Sequence, residues 1–136
     1  MAKMVLLAEY LSINANVLNS FTKKAEIAVE VEDKDVTTYA SLGWKEVLGG
    51  LKSGELGCEF LQDFAASQLD AIMWPLLGTV VPFEVRADQA AVGTSNPKYT
   101  GSILIKAWNP ITGSVGDEAT VSLTFPTSGA VVRATA

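Results

Sequence analysis

Apolar and polar residues alternate with a period of two in six separate stretches of this chain, at about 10–18, 25–32, 53–62, 80–86, 99–108 and 119–125. That period belongs to strands with one buried and one wet face. A helical period occurs once, where Leu69, Ile72, Met73 and Leu76 stand at i, i+3, i+4 and i+7. Ser67 with Asp70 gives a capping-box-like start, Pro75 ends or kinks the helix near Trp74, and Leu77-Gly78 closes it. The expected fold is mainly β: one domain over residues 1–136, a β-sandwich of seven to eight strands with one flanking α-helix.

Within that frame the stretches differ in what they predict. Leu11, Ile13, Ala15 and Val17 share one face of a first strand, Asn19-Ser20 turns, and Ala25, Ile27, Val29 and Val31 continue as its antiparallel partner. Residues 32–50 hold no sustained period and read as a long inter-strand loop, with a short helical turn possible at 44–48. Loops of that length inside compact domains tend to be functional. Its Tyr39 and Trp44 either fold back onto the domain or face a partner. In the strand at 53–62, Leu56, Cys58 and Phe60 lie opposite Glu55, Gly57 and Glu59, so Cys58 is a small core residue. Pro82 makes 80–86 an edge or bulged strand. Along 99–108, Ile103 and Ile105 face one way and Leu104 and Trp108 the other, while Val121 and Phe125 mark the inner face of 119–125. The tail at 130–136 adds one more extended segment.

Composition narrows the function by exclusion. At 49% hydrophobic and 18% charged the chain is no disordered segment, and so few charges suggest a surface covered by another copy or another protein. A net charge of −5 offers no basic footprint for nucleic acid. With no histidine and one cysteine, zinc-protease helices, histidine triads and internal disulfides are ruled out. That cysteine usage fits synthesis in a reducing cytoplasm. Asp33, Asp35 and Thr37 start a calcium-loop pattern, yet its sixth position is not glycine and its twelfth is Trp44. Glu55 and Glu59 lie about 13 Å apart along a strand, too far for glycoside hydrolysis. The glycines at 49, 50, 54 and 57 do not end in Gly-Lys-Ser/Thr and form no phosphate loop. The amino-terminal apolar run is too short for a signal peptide, and no run is long enough to span a membrane. No enzyme, cofactor or metal is expected.

The phrases GWKEVLGGLKSGEL, QDFAA, LDAIMWPLLGTVVPFEVR, NPKYTGSILI and SVGDEATVSLTFPTSGAVVR, in that order over roughly residues 35–133, carry a resemblance to a known family. The chain resembles the major tail (tail tube) proteins of long-tailed, siphovirus-type bacteriophages, most like those of actinobacterial phages. The resemblance implies a virion protein made in the host cytoplasm, whose hexameric rings stack around a tape measure protein into a tail tube. It implies tail terminator and baseplate or distal tail proteins as neighbours at the tube ends, and transient passage of DNA without specific binding. Inner strands of six subunits join into one barrel, and the long loop reaches the next ring.

On that reading Asp35, Thr38, Tyr39, Leu42, Trp44 and Lys45 are inter-ring contacts, which favours a partner for the two loop aromatics. Glu26, Glu30, Glu55 and Glu59 are the expected lumen-facing row, an acidic wall that repels DNA phosphates. Four strands from each of six subunits, at about 4.8 Å spacing and about 40° tilt, imply a barrel backbone about 50 Å across. Two rivals remain: the tube of a bacterial contractile injection system, and a carbohydrate-binding sandwich with Trp44, Trp74 and Trp108 as a stacking platform.

Overall fold

The computed structural model describes residues 3–136, so Met1 and Ala2, at the head of the amino-terminal apolar run, lie outside the described residues. The elements are β1 (Tyr10–Ile13), β2 (Asn16–Val17), β3 (Thr22–Asp35), β4 (Val47–Leu61), α1 (Leu69–Met73), β5 (Val80–Arg86), β6 (Lys98–Leu104), β7 (Thr120–Pro126) and β8 (Val132–Ala134). Two sheets result, one in the order β2-β1-β5-β6-β8 and one in the order β3-β4-β7. All strand pairings between these elements are antiparallel. The mainly β sandwich with one short helix is thus the observed fold.

The core lies between the sheets and is built from the inward alternates. Leu11 and Ile13 of β1, Val81, Phe83 and Val85 of β5, and Ile103 of β6 meet Leu56, Cys58 and Phe60 of β4 and Val121 and Phe125 of β7. Leu69 and Met73 put one side of α1 into the same core at no exposure, with Ile72 and Leu76 packed at its margin. The α1 helix is shorter than expected, with Gln68 at its N-cap and Ser67 left-handed at φ 62°. Pro75, which has no N–H to continue the α-helical ladder, stands inside the 3₁₀ turn Trp74–Leu76 that ends the helix.

Several other expectations change. The run 10–18 is not one strand, because Asn14 and Ala15 take φ of 52° and 63° and fold it into a two-residue hairpin. Ala15 and Val17 therefore leave the inner face, and Val17 is exposed. Nor does this first segment pair with β3, which belongs to the other sheet. Leu18 and Phe21, both buried, carry the chain across the end of the sandwich between them.

Pro82 sits on an interior strand, β5, between β1 and β6. Its carbonyl accepts from the Asn14 N–H at 2.7 Å, so the side lacking a donor faces the point where β1 turns away. Beyond β6 the alternation fails, and Trp108 is buried instead of lying opposite Ile105. Its Nε1–H donates to Asp70 Oδ1 at 3.0 Å, tying α1 to the chain that follows β6.

The largest change concerns residues 32–50. They are not an aperiodic loop: β3 continues to Asp35 and β4 begins at Val47, paired down to Asp35↔Val47. Only residues 36–46 form the connection, and its helical turn falls at Tyr39–Ser41, earlier than the expected 44–48.

Candidate assembly surfaces

β7 accompanies β4 only from Leu61 to Glu55, where Pro126 ends it. Past that point β3 and β4 continue alone as a two-stranded ribbon. Gly54 marks the exit. Thr127 donates to its carbonyl through both N–H (3.0 Å) and Oγ1 (3.1 Å), and a Cβ there would stand 3.0 Å from the Ala28 carbonyl oxygen. From residue 29 to residue 35 the ribbon runs about 23 Å at about 3.3 Å per residue. A register shift between Val31 and Asp33 re-aims its outer half. Two-stranded ribbons are marginal in water unless something packs on them. Val29, Val31, Val47, Leu48 and Leu51 are all at least half exposed along this one.

The ribbon's end is held by polar groups. Val36 N–H donates to the Glu46 carbonyl at 2.9 Å, Thr37 N–H to Asp35 Oδ1 at 2.8 Å, and Glu46 N–H to Thr37 Oγ1 at 2.8 Å. The half-turn Tyr39–Ser41 is closed by Ser41 Oγ, which donates to Glu46 Oε1 at 2.9 Å. Hydrogen bonding from the Thr37 hydroxyl and then its backbone N–H holds the Asp35 carboxyl below its ordinary value of 3.8. Leu42 and Gly43 reverse the chain at φ 51° and 89°.

With its backbone satisfied inside the turn, the tip presents its large apolar side chains to water. Tyr39, Leu42 and Trp44 are 102%, 86% and 79% exposed. Asp35, Thr38, Tyr39, Leu42, Trp44 and Lys45 all sit on this one exposed tip, so the structure brings the expected contact residues together. Sequence reasoning missed Thr37, Ser41 and Glu46, which hold the tip. Their signal was the density of Asp, Thr, Ser and Glu around 35–46, which is turn chemistry.

Glu26, Glu30, Glu55 and Glu59 also share a surface. The register Ala25↔Cys58 and Ile27↔Leu56 turns those residues to the core, so the intervening positions face away from it. A shallow depression of about 340 Å³ lies over Gly57, lined by Lys24, Glu26, Glu55, Glu59, Ser122 and Thr124. The row is less uniformly acidic than its glutamates alone indicate. Lys24 Nζ lies 3.8 Å from Glu26 Oε2, and Lys23 Nζ reaches Glu118 at 3.2 Å and Glu59 at 4.0 Å. The Glu118 carboxyl is held below its ordinary value by its own backbone N–H, then by Lys23.

The tryptophans form no platform. Trp44 is on the ribbon tip, Trp74 at the exposed end of α1, and Trp108 is buried. Among the described residues no cluster of acidic, cysteine or histidine side chains is arranged for a metal, and no helix is long and apolar enough to cross a membrane. Burial first, and then Glu9, pushes the Cys58 thiol up to about 12.

A two-sheet sandwich whose longest hairpin leaves the body with bare apolar residues on its tip is the shape of a subunit made to meet other copies. The family model for phage tail tube proteins matches residues 14–133, and this chain belongs to that family. Among solved structures the chain is similar to one from the virion of a native gene transfer agent particle, at 21% identity and TM-score 0.72, covering 92% of this chain and 94% of that one. It is also similar to one from the tail of an empty gene transfer agent particle with C6 symmetry, at 22% identity and TM-score 0.69, covering 93% of each chain. No curated protein sequence matches.

Proposed function

We propose that this chain is the repeating, non-catalytic subunit of a phage tail tube, assembling as hexameric rings that stack into the conduit for genome delivery. The observation that carries the reading is the unsupported β3–β4 ribbon with Tyr39, Leu42 and Trp44 bare at its end, in a chain of the tail tube family. A ring also gives the open edges of β3 and β7 a partner, each meeting the other on the next copy. The C6 symmetry of the similar gene transfer agent tail supports six copies per ring.

In this reading Glu26, Glu30, Glu55 and Glu59 face the lumen and the ribbon tip crosses to the next ring. The lumen holds a tape measure protein before DNA passes, and terminator and baseplate or distal tail proteins close the ends. The tail is of the siphovirus type, of an actinobacterial phage, with the protein made in the host cytoplasm.

The sheet carrying the glutamates has three strands, not four. Eighteen strands at about 4.8 Å and about 40° tilt give a backbone diameter of about 36 Å, a lower bound for the barrel. The exposed segment 4–7 is available to widen it.

Negative-stain microscopy of the purified protein at rising concentration tests the reading. Rings and tubes are expected above a threshold concentration; a monomer at every concentration contradicts it.

A further inference from the structure

β4 is 15 residues long, so its two ends lie about 50 Å apart at about 3.3 Å per residue. One end is the ribbon tip. The other end gathers a second set of bare apolar side chains. Leu61 closes β4, Phe64 follows it, Trp74 ends α1, and Ile111 and Val115 stand in the loop before β7; their exposures run from 40% to 106%. Hydrogen bonds hold this set together: Gln62 Nε2 donates to the Pro110 carbonyl at 2.9 Å, Gln62 N–H to the Ala119 carbonyl at 2.9 Å, and Asp70 N–H to the Asp63 carbonyl at 3.2 Å. The body beneath it is stiff, because Trp108 packs on Phe60 with ring centroids 6.4 Å apart and donates to Asp70.

We propose that this far-end surface, centred on Phe64, Ile111 and Val115, is the seat for the ribbon tip of a second copy in the adjacent ring. The inference rests on the tube reading and adds the receiving half of the contact. Two observations select a second copy as the occupant. Two unlike apolar surfaces at opposite ends of one chain make a head-to-tail contact, which propagates along an axis instead of closing into a pair.

The areas also match what stacking needs and a pair does not have. Tyr39 and Trp44 offer about 300 Å² at about 150 Å² each. One contact therefore covers about 600 Å² over both partners, which is less than a stable pair needs, whereas six around a ring cover about 3,600 Å², the range of obligate assemblies. Subunits then stay apart in solution and stack only as rings.

The test uses the full-length chain with cysteines at Ala40→Cys and Ser114→Cys, exposed positions beside the contact residues, singly and together, and a short bis-maleimide linker. Cys58 is buried and its thiol protonated, so it does not compete. The two new thiols are too far apart to link within one subunit. The expected result is a ladder of linked chains from the double variant in assembled tubes, with none from either single variant. Dimers from Ala40→Cys alone mean a tip-to-tip contact and overturn the proposal, as do microscopically visible tubes of the double variant that give no ladder. Absence of tubes from the parent protein as well would overturn the tube reading itself, and the proposal with it.

Discussion

Single residues divide cleanly between holding the subunit and presenting it. Phe60 is fully buried between the sheets, and its replacement by alanine should cost about 3–5 kcal/mol, read as a large fall in melting temperature. Trp44 is 79% exposed, so Trp44→Ala should leave stability within about 0.5 kcal/mol while abolishing tubes in negative stain. A variant that melts far below the parent yet still polymerises would place Trp44 in the core. Asp35 titrates below 3.8 in the folded chain, so its contribution to the tip is complete above the unfolded value and is lost as pH falls through the folded one. The Thr37 amide should follow that titration by NMR, with a midpoint below 3.8, and Asp35→Asn should erase it. Inward residues such as Leu56, Cys58, Phe60, Val81, Phe83 and Val85 were legible from period alone. Trp108 was not, because the strand it was counted on stops at Leu104 and burial follows the Asp70 hydrogen bond instead of the pleat.

Among the elements, the β3–β4 hairpin shows where local pattern stops being informative. Strands over a core alternate because one face is dry, and the legible part of β3 and β4 is the part under the opposite sheet. The ribbon beyond Val31 has no core on either side, so it lost the period and read as loop although the two strands pair on, past a register shift, to Asp35↔Val47. Pairing partners were illegible for a related reason. Nothing in the alternation of 10–13 and 22–31 says that Leu18 and Phe21 carry the chain to the other sheet. Replacing residues 36–46 by Asn-Gly, the preferred two-residue hairpin turn, should give a folded monomer with unchanged β circular dichroism and no tubes. Loss of the fold in that variant would show that the tip supports the body. Gly54→Ala, with its Cβ pressed toward the Ala28 carbonyl oxygen, should destabilise by about 1–3 kcal/mol in thermal melts.

For the whole molecule, the division of labour follows from the two sheets. The five-stranded sheet and α1 close the core, and the three-stranded sheet turns a carboxylate-rich face outward and sends a ribbon past the body. The glutamate row was legible as a set because alternation places Glu26, Glu30, Glu55 and Glu59 on one side, but its counter-charges Lys23 and Lys24 came from a bulge at the start of β3. Substituting all four glutamates by glutamine takes the net charge from −5 to −1 and leaves the core untouched. Such tubes should form and should retain duplex DNA at low salt, where parent tubes release it. A helical reconstruction of tubes grown from the purified chain decides the tube assignment. Six subunits per ring, the four glutamates on the lumen wall and Trp44 inside the adjacent ring are expected; those carboxylates on the outer wall, with the ribbon lying free, would contradict it.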